Sequence, residues 1–490
     1  MLRKIRIVLA SVMFIGITLL FLDFTGTLHH WLGWMAKVQF LPAVLALNGT
    51  IVLTLVTLTL CFGRIYCSVI CPLGVMQDVF GWLGKKAKKN RYFYSKALSW
   101  LRYGALAVFV VCLVAGIGVV VQLLAPYSAY GRIASSLLQP LYMWGNNGLA
   151  AIAEHYDSYA FYSVDVWMKS LSVLVIAVAT VIILAVLAWR NGRTYCNTIC
   201  PVGTVLSFVA RFSFRKIHFD KEKCTNCSLC SKNCKAACID VKSHKVDYSR
   251  CVVCGDCLES CKFGALRYGW AKGTEEAAKS HTDASKRSFL LASAMMTTAA
   301  LAQEAKKTDG GLADIEDKIA PERQTPLTPP GSLSARNMAQ HCTGCQLCVS
   351  ACPNQVLRPS GDWLTMMQPV MSYERGYCRP ECTRCSEVCP TGAIKPIAKE
   401  EKSSVQIGHA VWLKKNCVPL TDGVACGNCA RHCPVGAIEM VPSDPEDEKS
   451  LKIPVVNENR CIGCGACENL CPARPFSAIY VEGHEMHKEV

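Results

Sequence analysis

The sequence predicts an α-helical membrane bundle of four transmembrane helices, with a candidate fifth, followed by small α+β modules built on cysteine runs. Three observations carry this reading. The first 200 residues contain four apolar spans, a twelve-residue motif occurs twice, and most of the 31 cysteines fall into runs of one spacing. At 490 residues the chain has room for several units.

The apolar spans are roughly 7–24, 40–62, 101–124 and 170–189. Each is near the twenty residues that cross about 30 Å of hydrocarbon. The opening MLRKIR runs straight into the first span with no A-x-A-like cleavage site, so this span reads as a retained helix and not a signal peptide. The N-terminus, KKAKKNR at 85–91 and RFSFRK at 211–216 are basic, whereas 25–39 and 125–169 are poor in Lys and Arg. The positive-inside rule places the basic segments in the cytoplasm and the other two outside. This predicts a multi-pass protein of the cell inner membrane, in contact with its lipid.

The repeated motif is GRIYCSVICPLG at 63–74 and GRTYCNTICPVG at 192–203, identical at eight of twelve positions. Each copy follows an even-numbered span at the cytoplasmic end. Cys67 and Cys71 are four residues apart, as are Cys196 and Cys200. On a helix such pairs share a face. Pro72 and Pro201 should end or bend the helix, and Gly74 and Gly203 should let the backbone turn. Two thiol pairs at one depth make four ligands, so the repeat predicts one shared metal centre, an iron or iron–sulfur site. A thiol/disulfide pair and simple packing are the competing readings. A reducing cytoplasm disfavours permanent disulfides, and the repetition of Gly, Arg, Tyr, Ile and Pro disfavours coincidence.

Residues 224–261 contain CTNCSLCSKNCKAAC and CVVCGDCLESC. The C-x2-C-x2-C-x3-C run is the spacing that holds iron–sulfur clusters, with the fourth Cys serving the other cluster of a pair. Zinc sites use two separated pairs instead. The expected ligands are Cys224, Cys227, Cys230 and Cys261 for one 4Fe–4S cluster, and Cys251, Cys254, Cys257 and Cys234 for the other. Cys238 is spare; it either packs or replaces Cys234, and the C-x3-C spacing favours Cys234.

Residues 285–302, SKRSFLLASAMMTTAALA, place a basic pair before a short apolar stretch. They resemble a twin-arginine export signal with Lys286 in the first position. The competing readings are a fifth span and an amphipathic linker helix. A polar linker follows, through PERQTPLTPPGS.

Four more runs come next: Cys342, Cys345, Cys348 and Cys352; Cys378, Cys382, Cys385 and Cys389; Cys417, Cys426, Cys429 and Cys433; Cys461, Cys464, Cys467 and Cys471. All end in Cys-Pro, the bacterial ferredoxin signature. Nested pairing, first with fourth and second with third, is the expected exchange. The expected divisions are a membrane domain 1–215, a two-cluster domain 216–270, a linker 271–335 and a four-cluster domain 336–490. Six clusters use 24 cysteines and the motif pairs use four; of the 31, Cys61, Cys112 and Cys238 remain.

The formal charge of +15 does not point to nucleic acid. A cluster with four thiolates carries about −2, so six bring the total to roughly +3. The remaining Lys and Arg flank apolar spans, and no nucleic-acid module is present. The absence of C-x-x-C-H excludes covalent c-type haem.

On these motifs residues 1–265 resemble the membrane quinol-dehydrogenase subunit of periplasmic nitrate reductase systems, the H-type subunit. Residues 285–475 resemble its exported four-cluster partner, the G-type subunit, so the chain resembles a fusion of the two. Methylamine-utilisation ferredoxins, a nitrous oxide reductase regulator family and a copper-reducing oxidase-assembly protein share the membrane motifs. The resemblance implies quinol oxidation, with the quinone pool as substrate, and electron delivery outward to a redox partner protein such as a reductase or cytochrome. The second run, C-x3-C-x2-C-x3-C, and the Lys-Arg pair depart from the nitrate-reductase pattern, which leaves the acceptor open. Loop residues His29, His30, Glu154, His155 and Asp157 are candidate proton acceptors, read first as solvated side chains. The alternative function is a redox-sensing, metal-reducing or assembly protein.

Overall fold

The computed structural model describes residues 2–87, 92–270 and 316–489. The signal-like segment 285–302 lies outside the described residues.

The four expected spans divide into two continuous helices and two broken ones. Helices α1 (Leu2–Leu22) and α8 (Leu171–Asn191) are each 21 residues long and apolar enough to cross a membrane. The expected span 40–62 is interrupted after Phe40–Leu45. Leu47 turns with φ 52°, and Asn48 Oδ1 accepts from Ile51 N at 3.3 Å to start α2 (Gly49–Phe62). The expected span 101–124 is interrupted at Gly116, φ 74°, between α4 (Ser99–Val114) and α5 (Gly118–Leu124). An Asn N-cap and a left-handed Gly both end helical hydrogen bonding, and hydropathy, which counts apolar side chains, does not register either. α3 (Pro72–Lys86) separates these two regions in the chain.

The expected outward loop 125–169 is not simply a loop. It holds the buried helix α6 (Pro126–Ile133), a π-helical turn at Ala134–Leu138, and α7 (Gln139–His155). Every residue of α6 is buried. It follows α5 directly after Ala125, and both contribute to the buried core. The core there joins Ile17, Leu20 and Phe21 of α1 to Tyr66, Leu73, Tyr127, Tyr130, Leu184 and Leu206. The last belongs to α9 (Pro201–Ala210).

All ten described strands form antiparallel pairs. In the first ferredoxin-like unit, β1 (Arg215–Phe219) pairs with β4 (Leu266–Trp270), with Ile217 opposite Tyr268, and encloses the hairpin of β2 (Ile239–Asp240) and β3 (Lys245–Val246). The C-terminal region carries the hairpin β5 (Leu357–Pro359) with β6 (Pro369–Met371). It repeats the enclosed plan with β7 (Val405–Trp412) on β10 (Ile479–Glu489) around β8 (Ile438–Pro442) and β9 (Lys452–Val456).

The two units sit at opposite ends of α1. Near its start, Arg3 pairs with Asp256 at 2.9 Å and with Glu259. Near its end, Phe21 lies beside Gly131, where an added Cβ would fall 2.2 Å from the carbonyl oxygen of Cys345. From Arg3 to Phe21 an α-helix rises about 27 Å, close to a bilayer's hydrocarbon thickness. The π-turn and the start of α7 hold the C-terminal unit directly. Ser135 Oγ donates to Gln346 Oε1 at 2.8 Å, and Gln139 Nε2 donates to Ser350 O at 3.2 Å.

One consequence is pH-dependent. Burial, then His484, lowers His487 to about 4, and its Nε2 lies 2.9 Å from Thr328 Oγ1. A depressed histidine stays neutral in the fold while the unfolded chain takes up a proton below about 6.5. The C-terminal unit should therefore lose about 1.4 kcal/mol of stability per pH unit between about 6.5 and 4. Thermal unfolding followed by visible cluster absorbance should show that slope, and His487→Gln should flatten it.

Candidate electron-transfer centres

The cysteine runs fold locally into cups. In four of them the residues on either side of the second cysteine have left-handed backbones: Asn226 and Ser228, Val253 and Gly255, Gly344 and Gln346, Gly463 and Gly465. Non-glycine residues adopt that region at a cost, so the curl of C-x2-C-x2-C around a centre is imposed by the surrounding fold. The last cysteines of four runs accept backbone N–H bonds on sulfur. Ala265 N reaches Cys261 at 3.3 Å, Ile394 N reaches Cys389 at 3.5 Å, Ala437 N reaches Cys433 at 3.2 Å and Ala478 N reaches Cys471 at 3.3 Å. Such donors stabilise thiolate charge and tune cluster potential.

The thiols group into quartets. Burial pushes Cys348 up, and Cys345, Cys389, Cys342 and Cys385 push it the same way. Burial also raises Cys385, with Cys378, Cys352 and Cys382 around it. Cys467 is raised by burial and by Cys464, Cys461 and Cys429, while Cys461 has Cys433 as neighbour. Cys429 is raised to about 11 by burial, with Cys426, Cys417 and Cys471 adding to it. The first run of the C-terminal unit thus exchanges its fourth cysteine with the second, and the third with the fourth. The expected nested pairing is overturned. The hairpins β5–β6 and β8–β9 each fold one run back onto the next, and the enclosing β7–β10 pair brackets only the last two.

This pairing has a sharp test. Cys352→Ser should spoil the cluster held by Cys378, Cys382 and Cys385 and leave the one at Cys461, Cys464 and Cys467 intact. Iron analysis and electron paramagnetic resonance would show one altered cluster, and alteration of the latter cluster would restore nested pairing.

In the first unit Cys257 is raised by burial and then by Cys254, Cys251 and Cys234, which matches the expected second set. Cys230 is raised to about 11 by burial, beside Cys227 and Cys224. The spare Cys238 is buried, with its sulfur 3.5 Å from that of Cys234, so both stand at the same set.

The repeated motifs do meet. Cys67, Cys71, Cys196 and Cys200 are each 3–4 % exposed. Burial raises Cys200, and Cys196, Cys71 and Cys67 all add to it. The motifs also exchange arginines, which spacing alone did not reveal. Arg64 donates to Cys196 O at 3.1 Å and, more distantly, to Cys67 Sγ at 3.7 Å; Arg193 donates to Cys67 O at 2.5 Å. Gln77 Nε2 reaches Cys196 Sγ at 3.2 Å and Gly203 N reaches Cys200 Sγ at 3.3 Å. The repetition of Gly-Arg before each Tyr-Cys was the available signal. Gly74 and Gly203 serve close approach, not a turn: a Cβ at either would stand 2.3 Å from the carbonyl oxygen of Cys67 or Cys196. Both lie in helices, behind Pro72 and Pro201 in the first turns of α3 and α9.

Asp78 anchors this core. Its carboxylate meets Arg6 at 2.8 Å, Arg193 at 2.8 Å and Lys235 at 3.3 Å. Burial opposes its charge, but Arg193, Lys235 and Arg6 outweigh it and hold its pKa well below the carboxylate range.

Contacts connect one set to the next. Cys254 belongs to the same buried core as Cys67, Cys71 and Cys200, and Arg64 donates to Ser249 O, beside the second run of the first unit, at 3.1 Å. Beyond the motif core, Tyr195 Oη donates to Leu124 O at 3.0 Å, and Arg132 lies within charge range of both Tyr195 and Cys345. The α5–α6 segment therefore lies between the motif core and Cys345. Farther on, Cys378 N donates to Cys464 O at 2.9 Å, which joins the second quartet to the fourth run. The outermost sets approach solvent, with Cys227 exposed in one and Cys426, Cys429 and Cys433 partly buried in the other. Lys402 Nζ donates to Cys378 Sγ at 3.2 Å, a buried positive charge on one quartet.

The donor sets fit 4Fe–4S clusters: three thiols from one run, a fourth from its partner, and N–H donors on sulfur. Among the described residues no three His, Cys, Asp or Glu side chains converge on a single-ion site. The candidate proton acceptors do not assemble. His29 Nδ1 sits 3.2 Å from Asp23, while Glu154, His155 and Asp157 are exposed.

Family models cover both motif copies and most of the cysteine runs. A 4Fe-4S binding domain matches residues 44–91 and again 171–220, one copy over each C-x3-C-P motif. A 4Fe-4S dicluster domain matches 341–393 and 424–474, the two sequential pairs. A second dicluster model matches 247–356 and takes one run from each unit across the linker. An uncharacterized protein of Methanocaldococcus jannaschii is 37% identical over 93 residues, which is 19% of this chain and 37% of that protein. The chain thus spans well under two thirds of that relative. The ferredoxin-type protein NapG of Escherichia coli K12 is 28% identical over 34% of this chain and 77% of its own length. The methylamine utilization ferredoxin-type protein MauM of Methylobacillus flagellatus is 32% identical over 33% of this chain and 70% of its own. With these matches and its cysteine quartets, the chain belongs to the family of MauM-type ferredoxins and is an iron–sulfur electron-transfer protein related to NapG.

Proposed function

We propose that the chain is an inner-membrane protein that carries six 4Fe–4S clusters, oxidises quinol, menaquinol or ubiquinol, and passes the electrons through 4Fe–4S clusters to a partner protein, a periplasmic reductase. The carrying observation is the series of cysteine quartets from one end of α1 to the other. The clusters supply one-electron steps at potentials set by ligation, hydrogen bonding and burial. The protein aligns them, buries the inner ones and leaves the end sets near solvent. A sensor needs one or two clusters, so their number favours transfer.

The surface supports a membrane setting. Val8, Val12 and Ile15 of α1, Val108 and Val111 of α4, and Ile182 and Ile183 of α8 are exposed. Exposed aromatics flank them: Trp31, Trp144 and Tyr159 towards the C-terminal unit, and Trp82, Trp100 and Phe212 towards the first. Apolar sides between aromatic belts are what a bilayer selects. On this reading residues 216–270 lie in the cytoplasm and the four-cluster unit in the periplasm.

Two reporters fused after Val490 test the topology. Activity of a periplasm-only phosphatase, with no signal from a cytoplasm-only fluorescent protein, is expected; the reverse would refute delivery to the periplasm. Purified protein should contain about 24 irons in the six ferredoxin clusters, four for each, with any iron above that number belonging to the motif pairs, and should oxidise quinol steadily when an acceptor is supplied. A single stoichiometric change of state would instead mark a sensor or assembly factor.

A further inference from the structure

We propose that the quinol head group binds in the cavity at the outer end of the bundle, between α7, the segment 162–169 and the turn that follows Cys352. This rests on the quinol-oxidising reading above. The cavity is about 170 Å³ and is lined by Cys352 itself. Phe24, Tyr162 and Trp167 supply aromatic walls suited to a flat ring, and Val349 and Leu357 close the apolar side. The Trp167 ring is held by the Arg375 guanidinium, 4.9 Å from its centroid.

The polar wall is built for hydroxyl groups. Lys169 Nζ donates to Gln139 Oε1 at 2.8 Å, and Gln139 Nε2 donates to Ser350 O at 3.2 Å. Ser350 lines the cavity and is 4 % exposed, and its buried hydroxyl has no hydrogen-bond partner. A buried hydroxyl left without a partner carries a desolvation cost that a bound hydroxyl would remove. Asp165 lines this cavity and also an open polar cleft of about 670 Å³ that includes Asp317, Glu374 and Arg375. Asp165 therefore borders both the ring site and the open cleft.

The step balances on these groups. Both quinol O–H bonds break and both C–O bonds become carbonyls. Cys352, Cys378, Cys382 and Cys385 would hold a cluster that accepts one electron at a time, so the first electron would pass on to a neighbouring cluster before the second is taken. Two protons leave in turn by way of the Asp165 carboxylate to water in the cleft. The other cleft of comparable shape, about 430 Å³ beside Tyr94, Arg190 and Asn197, lies at the opposite end of the bundle and contains no cysteine.

The experiment uses the full chain in lipid nanodiscs with a photoreactive short-chain naphthoquinone, followed by peptide mapping. Label within 139–169 or 349–357 is expected. Trp167→Ala and Gln139→Leu should each cut labelling and quinol oxidation about tenfold, the effect of roughly 1.4 kcal/mol of lost binding, with iron content and the dithionite-reduced spectrum unchanged. Two variants keep the test alive if one fails to fold. Label within 92–98 or 190–198, or wild-type labelling by both variants, would overturn the site even if quinol is oxidised. Label at the proposed cavity with no cluster reduction by quinol would support the site and sink the dehydrogenase reading, so the two failures are separable.

Discussion

Cys67→Ser and Cys200→Ser should each abolish electron exchange between the first ferredoxin unit and the C-terminal one. These residues come from different motifs, yet burial and mutual proximity place them in one set. If they hold one centre, losing either ligand removes the same spectroscopic signal. If the pairs were independent thiol switches, each variant would affect only its own pair. The six ferredoxin clusters should remain in both, because their ligands lie in other quartets. The measurement is rapid-freeze electron paramagnetic resonance after reduction of the exposed first-unit cluster. Wild-type protein should spread the electrons to the outer clusters, and the variants should hold them in the first unit. Unimpaired spreading in either variant would remove the motif core from the path.

Asp78→Asn should be the most destabilising single change in the membrane half. The carboxylate is the shared partner of Arg6, Arg193 and Lys235, and Arg193 is 1 % exposed. Removing the one negative member leaves buried positive charges facing each other, a loss of about 3–5 kcal/mol. Lys235 belongs to the first ferredoxin unit and also meets Asp256 at 3.2 Å, so that unit should loosen from the bundle. Limited proteolysis near 215–223 should accelerate, and unfolding should occur at lower denaturant. The sign with pH is also set. A depressed carboxylate contributes above its unfolded value near 3.9 and loses that contribution only as pH falls towards its folded value. The Asp78 contribution should thus be constant between pH 5 and 8, and the variant's deficit with it.

The cysteine sets show how far the spacing could be read. C-x2-C-x2-C-x3-C fixes the spacing of the thiols within a few residues, so the candidate ligands of each run were legible in the sequence. The partner of each fourth cysteine was not, because it depends on which hairpin folds which run back. β5–β6 lies between the first two runs and β8–β9 between the last two, and that order overturned the nested expectation. The membrane half divides the same way. Apolar length identified Leu2–Leu22 and Leu171–Asn191, whereas Asn48 and Gly116 broke the other two spans by capping and by a left-handed backbone.

The sequence by itself determined the class of chemistry: which thiols are candidate ligands, that the two motifs are copies of one pattern, and that the spacing is that of 4Fe–4S clusters. Those are consequences of spacing, which acts within one or two turns of chain. Only the tertiary structure decided the exchange of Arg64 and Arg193 between motifs, the convergence of three cations on Asp78, and the placement of α5 and α6 between the motif core and Cys345. Each of these joins residues distant in the chain, where charge pairing and burial in a shared core, not spacing, select the partner.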